Sequence, residues 1–257
     1  MIDSRAWQVR ALSYGGIASL YEEARPTYPE ELIDEIVEQL PGRRVAEVGA
    51  GTGKATRLLA ARGINVACVE ADPGMAQLLL RECAAYPGIT VDVKPYESWS
   101  PGEPIQGLVC AQAWHWCDPG RRWAKAASVL AADGLIALMW NVEQWDSSPA
   151  SEVLEPVFTR HGQEAKDDGG LSLDVWPTAD VAARAGFRDL RVSTVDWAQK
   201  WTAEEFAAYR STTSQVRILP EHVRTQLVDD IALSIRSELG GELTLPWRTY
   251  LFTAHRS

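Results

Sequence analysis

The sequence predicts an α/β fold built on a doubly wound parallel sheet. Three observations predict it. Five short apolar strand-like runs alternate with helical segments between residues 43 and 140. A glycine-rich turn joins the first run to a helix, and an acidic residue closes the second run.

The elements follow in order. Pro29 stands at the first turn of a helix, and Glu30 and Glu31 suit its positive N-terminal dipole. Ile33, Ile36, Val37 and Leu40 fall on one face of that helix, which Pro41-Gly42 ends. Arg43 to Val48 reads as the first strand, Lys54 to Ala61 as a helix, and Ile64 to Val69 as the second strand. Asp72 caps a helix with Pro73 at its first position, running toward Ala85. Ile89 to Val93 and Ile105 to Cys110 are the third and fourth strands. Asp118-Pro119 repeats the cap pattern and predicts a helix to about Ala131; Asp133-Gly134 then turns into a fifth strand, Leu135 to Trp140.

After Asn141 the rhythm changes. Val153, Leu154, Val157 and Phe158 suggest a helix, Lys166 to Ser172 a polar loop, and Thr178 to Ala185 a short helix. Leu190 to Trp197 alternates as a strand does. Thr202 and Glu205 have capping-box spacing, and Val223, Leu227, Ile231 and Ile235 mark one face of a longer helix. Arg248 to Ala254 is the last strand. The division expected is a core over 1–145, followed over 146–257 by two more strands with helices inserted between them.

Composition narrows the function. Of the 257 residues, 46 % are hydrophobic and 23 % charged, which excludes a disordered or low-complexity chain. A net charge of -10 argues against a nucleic-acid partner, which needs clustered Lys and Arg. Met1 to Arg5 leads into mixed polar sequence without an apolar leader segment, and the uncharged run Pro104 to Cys117 is only 14 residues long. These predict a cytoplasmic protein without a membrane span. Four cysteines without CxxC spacing predict buried free thiols, and the isolated histidines offer no metal-ligand spacing. Eleven tryptophans, several clustered between Trp99 and Trp145, serve either packing or an aromatic wall around a flat or cationic ligand.

The informative segment is Val45 to Lys54, a strand entering a G-x-G-x-G turn that opens a helix. Glycines admit close backbone approach, and the helix start offers free N–H groups. Glu70 follows 21 residues after Gly49, where an acid can accept hydrogen bonds from vicinal ribose hydroxyls. Together they point to an adenosine-containing ligand. A dinucleotide fingerprint needs glycine at 54, where this chain has Lys54. Glu47, two residues before the first glycine, disfavours a pyrophosphate and tolerates a ligand with an amine and a sulfonium.

These residues resemble the class I S-adenosylmethionine (SAM)-dependent methyltransferases over about the first 145 positions. Val45 to Gly53 resembles that family's first motif, and Val69 to Asp72 its second. Ala111-Gln112-Ala113-Trp114-His115-Trp116, Tyr21 and Arg25 to Pro29 resemble a small-molecule methyltransferase subgroup. The resemblance implies a Rossmann-like seven-stranded sheet with an antiparallel last strand and a helical lid insertion. It implies SAM as cofactor, with Glu47, Gly49, Ala50 and Gly51 around the methionine moiety and Glu70 on the ribose. Ala71, Tyr96 and Glu97 would surround adenine; Pro95 departs from the family's polar residue there. Backbone at Ala111 or Gln112 would meet the methionine amine, and Arg25 a carboxylate. Arg25 equally fits a salt bridge with Glu22 on its own helix.

Tyr28, Trp114 and Trp116 are the candidate substrate wall, with one of the two tryptophans facing the acceptor and the other the core. His115 is the candidate base, though a histidine there equally serves to shape the loop. The expected activity is methyl transfer to a small acceptor at O, N or C, with an aromatic acceptor suited to the tryptophans. A nicotinamide-dependent oxidoreductase and a non-catalytic SAM-binding protein stay open as alternatives.

Overall fold

The computed structural model describes residues 14–163 and 177–257. The polar loop expected at Lys166 to Ser172 lies outside them. The helices are α1 (Ala18–Ala24), α2 (Glu30–Gln39), α3 (Lys54–Ala61), α4 (Pro73–Glu82), α5 (Arg122–Val129), α6 (Ala150–Arg160), α7 (Ala179–Arg184), α8 (Ala203–Ser211), α9 (Ser214–Arg217) and α10 (Glu221–Glu238). The strands are β1 (Arg44–Val48), β2 (Asn65–Glu70), β3 (Ile89–Val93), β4 (Ile105–Ala111), β5 (Leu130–Glu143), β6 (Phe187–Thr202) and β7 (Glu242–Arg256).

They form one seven-stranded sheet in the order β3-β2-β1-β4-β5-β7-β6. β1 to β5 pair in parallel, and β7 runs antiparallel to both β5 and β6. The order reverses between β1 and β4, so a crevice opens beyond their carboxyl ends, where open α/β sheets bind ligands.

Both faces of the sheet are covered, which is why the central strands are apolar without alternation. On one face Ile33 and Ile36 of α2 and Leu59 of α3 pack on Val109, Ala137, Met139 and Leu251. On the other, Leu108, Ile136, Leu138, Trp140 and Phe252 pack with Trp99, Trp114 and Phe187. A third cluster sits beyond the sheet's end, where Trp145, Phe158, Phe206, Leu227 and Ile231 of the inserted helices meet Trp201, Leu245 and Trp247.

Three expectations are corrected. Asp118 does not cap a helix: its carboxylate accepts from Gly120 N in a turn, and α5 begins at Arg122. β5 starts before Asp133-Gly134 because Leu130 already pairs with Ile105, and Asp133 turns at φ 59° inside the strand. β6 and β7 are 16 and 15 residues long, far beyond their alternating centres, because each finds a full-length antiparallel partner in the other. The Asp72 cap on α4 and the capping box of Thr202 and Glu205 on α8 stand as read. All four cysteines are free and buried. Among the described residues no helix is long and apolar enough to cross a membrane, and no cluster could hold a metal ion.

Candidate active site

The glycine-rich turn hangs from β2. Gly49 N donates to the Val69 carbonyl at 2.8 Å, and Gly53 N to the Ala50 carbonyl at 2.9 Å. Gly49, Gly51 and Gly53 all have φ between 59° and 90°, a region where a side chain strains the chain. Beyond that, a Cβ on Gly49 would lie 2.3 Å from Ala113 Cβ, whereas one on Gly51 would meet only Met75 Cε at 3.7 Å. The first glycine therefore lets two loops touch; the second leaves room.

That room is a cavity of about 320 Å³ at the switch point of the sheet. Its lining includes Gly49, Gly51, Glu70, Ala71, Tyr96 and Glu97. Glu70 is held by two amides: Gly51 N donates to Oε2 and Asp72 N to Oε1, each at 2.8 Å. Burial pushes its carboxyl above the usual range, and the two amide bonds work against that rise. Glu97 accepts from Asp118 N at 2.8 Å. Tyr96 is 5 % exposed, and its hydroxyl has no partner among the described residues. An orphaned donor on a cavity wall fits a polar ligand there.

Aromatic rings line it as well: Tyr14 and Tyr21 come from the N-terminal segment and pack against Met75, Trp116 comes from the loop after β4, Tyr209 from α8 and Trp247 from β7. Arg25 stacks over the rings of Tyr21 and Tyr209 at 5.3 and 5.2 Å. It donates from Nε to Thr212 Oγ1 at 2.8 Å, while Glu22 turns to Lys54 and Arg57. Ala111, Gln112 and His115 complete the wall, and His115 packs against Trp116 with ring centroids 4.6 Å apart. Gln112 has φ 57°, held there because its N donates to the Met139 carbonyl and its Nε2 to the Asn141 carbonyl. A non-glycine residue in this region stores strain of about 1 kcal/mol or more.

Four predicted residues fall elsewhere. Glu47, Ala50 and Tyr28 line a smaller recess of about 40 Å³ under the glycine-rich turn, not the cavity. Glu47 is 1 % exposed and accepts from Thr56 Oγ1 at 2.5 Å, and its burial pushes the carboxyl up to about 8. Trp114 lines neither space. It is wholly buried between Tyr96, Trp123 and Arg122, because its short 3₁₀ turn directs it into the core and Trp116 outward.

Several lining residues escape sequence reasoning. Asn141 donates to the Thr27 carbonyl at 2.9 Å and accepts from Thr249 Oγ1 at 2.7 Å, fixing the β5 end to both neighbours. Its only local signal is the break in the apolar run after Trp140. Tyr209 and Ser214 reach the cavity from the insertion, and no spacing marks them. Trp247 falls in the alternating burial of β7, a period-2 signal that extends the strand but does not say what the side chain faces.

Comparison with known proteins agrees with this geometry. Residues 45–134 match the family model described as a methyltransferase domain. The chain is 30 % identical over 224 residues to an uncharacterized methyltransferase of Mycobacterium tuberculosis, covering 86 % of this chain and 84 % of that one. Its fold is similar to that of a putative type II methyltransferase from Anaeromyxobacter dehalogenans, with TM-score 0.59, 24 % identity, and coverage of 89 % and 97 %. It is also similar in fold to a phosphoethanolamine N-methyltransferase of Haemonchus contortus solved with S-adenosylhomocysteine, with TM-score 0.55, 14 % identity, and coverage of 100 % and 60 %. The chain belongs to the class I SAM-dependent methyltransferases.

Proposed function

We propose that this enzyme methylates a small, flat acceptor seated against the aromatic side chains of the cavity. The observation that carries this reading is the mixed lining of one cavity. Glu70, Ala71, Tyr96 and Glu97 offer groups suited to the nucleoside, and Trp116, Tyr209 and Trp247 add aromatic rings to the same lining. About 320 Å³ lies within the range for small-molecule pockets. The acidic chain likewise lacks the basic stripe that a nucleic-acid acceptor needs. We place the enzyme in the cytoplasm, a reducing compartment that suits its four free, buried cysteines.

The residues present fit the cofactor. Glu70 keeps acceptor capacity beyond its two amide bonds and would take the ribose hydroxyls. The open side of Gly51 lets main chain close on the ligand. Ala71, Tyr96 and Glu97 would flank adenine, backbone at Ala111 and Gln112 would meet the amine, and Arg25 a carboxylate. Bound SAM supplies an activated methyl group on a positively charged sulfur, with a neutral leaving group for in-line displacement.

Positioning therefore supplies much of the acceleration. The aromatic rings orient the acceptor and exclude water. His115 would take the proton from an acceptor O–H or N–H, a step needed only where the acceptor is protonated. The helices between β6 and β7 act as the lid, since Tyr209 and Ser214 already reach the cavity from them.

The test uses labelled methyl transfer from SAM to a panel of phenols, indoles, aromatic amines and aliphatic acids, with transfer RNA and peptides alongside. Turnover of an aromatic panel member, lost in Glu70→Ala together with cofactor affinity, supports the reading. Turnover confined to RNA or peptide overturns the small-molecule acceptor.

A further inference from the structure

The wall that carries Tyr14, Tyr21 and Arg25 is held differently from the rest of the cavity. It is one segment, a 3₁₀ turn over Gly15–Ile17 followed by α1. Within α1 only Ala18 and Ala24 are buried, and Leu20 is exposed. The apolar base beneath the segment is small: Ala18 packs with Met75 and Leu78, and Tyr14 and Tyr21 lie at its edge. Ala24 reaches the cluster of the inserted helices. Polar clasps supply much of the remaining hold. Gly15 N donates to Asp72 Oδ2 at 2.8 Å, Glu22 pairs with Arg57 at 2.5 Å and with Lys54 at 3.5 Å, and Arg25 holds Thr212. A wall with little buried apolar surface and several polar ties opens at lower cost than the sheet beneath it.

Asp72 is the branch point. Its N donates to Glu70 Oε1 at 2.8 Å. Its Oδ1 accepts from Gly74 N at 2.8 Å and Met75 N at 3.4 Å, which caps α4, and its Oδ2 takes Gly15 N. Loss of Gly15 from Oδ2 therefore leaves both the cap and the bond to Glu70 in place. The segment docks there main chain against main chain. A Cβ on Gly74 would lie 2.7 Å from Gly15 Cα and 2.7 Å from its carbonyl oxygen, and one on Gly15 would lie 2.1 Å from Asp72 Oδ1. Neither glycine has a positive φ, so a side chain there would break the close approach rather than the backbone conformation. Helices prefer alanine to glycine, yet position 74 of α4 must stay bare for Gly15 to seat.

We propose that Asp72 is a positioning residue that latches segment 14–25 as the movable wall of the cavity, released for passage of the cofactor and its product and seated during methyl transfer. Tyr14 and Tyr21 meet edge to face with ring centroids 5.5 Å apart, so they travel together, and Arg25 leaves the Tyr209 ring with them. Release breaks hydrogen bonds, ion pairs and a small apolar contact, while Glu70 stays held by Gly51 N and Asp72 N. The inference rests on the cofactor assignment and adds to it the route of exchange. It concerns a different segment from the helices between β6 and β7.

The experiment measures association and dissociation rates of S-adenosylhomocysteine by stopped-flow fluorescence, on the unmodified full chain and on Gly74→Ala. That variant keeps Asp72, suits the helix and collides with the Gly15 main chain. Both rates should rise about ten-fold, the equivalent of one hydrogen bond lost from the latch. Affinity should stay within about three-fold, because a latch closed in both the free and the bound protein cancels from the equilibrium. Damage to the site itself would raise the dissociation rate alone.

Asp72→Ser keeps a capping oxygen for α4, removes the acceptor of Gly15 N and should raise both rates in the same way. In the unmodified protein, amides of residues 15–25 should exchange faster than those of β1 to β4 and slow when S-adenosylhomocysteine binds. Unchanged rates in the variants, or faster dissociation with unchanged association, overturns the latch and leaves the cofactor assignment intact. Exchange in residues 15–25 as slow as in β1 does the same, and that measurement needs no variant to fold. Failure of the unmodified chain to bind SAM or its product overturns both readings.

Discussion

Arg25, a residue of the cavity wall, is tied to Thr212 at the end of α8. Nε of Arg25 donates to Thr212 Oγ1 at 2.8 Å, and Nη2 to the Thr212 carbonyl at 2.9 Å. The N-terminal helix is thereby fastened to the insertion, and the guanidinium is clamped between the rings of Tyr21 and Tyr209. A planar, forked cation can do both at once; an ammonium cannot. Arg25→Lys is expected to loosen this closure by about 1–3 kcal/mol, the usual worth of hydrogen bonds to a charged group. Amide exchange should accelerate in α8 and spare β1 to β4. Unchanged exchange in residues 203–212 would show that the clasp does not hold the insertion.

The two glycines of the turn answer to different constraints, and their alanine variants should part accordingly. Gly49→Ala drives a Cβ to 2.3 Å from Ala113 Cβ at φ 66°, so the two loops must separate. A loss of about 2–4 kcal/mol in stability is expected, along with cofactor binding. Gly51→Ala makes only an ordinary contact with Met75 Cε at 3.7 Å and, at φ 59°, bears chiefly the left-handed backbone penalty, about 1–2 kcal/mol. It should fold yet bind SAM poorly, since its methyl occupies the cradle. Thermal melts and calorimetry on the pair read the two effects separately.

These examples show which parts of the site the chain advertises. The turn, Glu70 and the Asp72 cap are local: each is a short string whose backbone demands particular residues, so spacing suffices to find them. The direction of a side chain is not local in the same way. Trp114 and Trp116 lie two residues apart, and their alternation says that one faces inward; the 3₁₀ turn decides which. Glu47 is expected beside the methionine moiety, but its place on β1 turns it into the recess beneath the glycines rather than into the cavity. Tyr209 and Trp247 come from the last third of the chain and meet Tyr21 only after β7 inserts between β5 and β6. Such a wall is made by topology, and no window of sequence contains it.

The buried carboxyl of Glu47 also makes stability depend on pH. Its folded value is raised from the ordinary 4.5 to about 8, chiefly by burial. A raised carboxyl binds its proton more tightly in the folded state than in the unfolded one. Its contribution is complete below the unfolded value and fades as pH climbs through the folded one. The cofactor-free protein should therefore lose up to a few kcal/mol between about pH 5 and about pH 8, relative to Glu47→Gln, which has no proton to shed. Chemical denaturation at several pH values compares the two. Parallel curves would show that Glu47 is not the titrating group.

Glu143 and Arg210 form a buried ion pair, with side chains 2 % and 1 % exposed and Nη1 to Oε1 at 3.2 Å. The Tyr209 hydroxyl donates to the same carboxylate, and Arg210 lies over the Phe158 ring at 4.6 Å. One carboxylate at the end of β5 thus sets α8 against the sheet and turns the Tyr209 ring toward the cavity. Removing one member leaves the other charge buried and uncompensated. Glu143→Ala is expected to cost about 3–5 kcal/mol, whereas Glu143→Leu combined with Arg210→Met should come close to the original stability. The double variant separates folding from placement. It should melt well above Glu143→Ala, short of the original only by the about 1–3 kcal/mol of the orphaned Tyr209 hydroxyl, yet lose acceptor turnover, because Tyr209 keeps its packing and loses the bond that aims it. Full turnover in the double variant would show that packing alone places the ring.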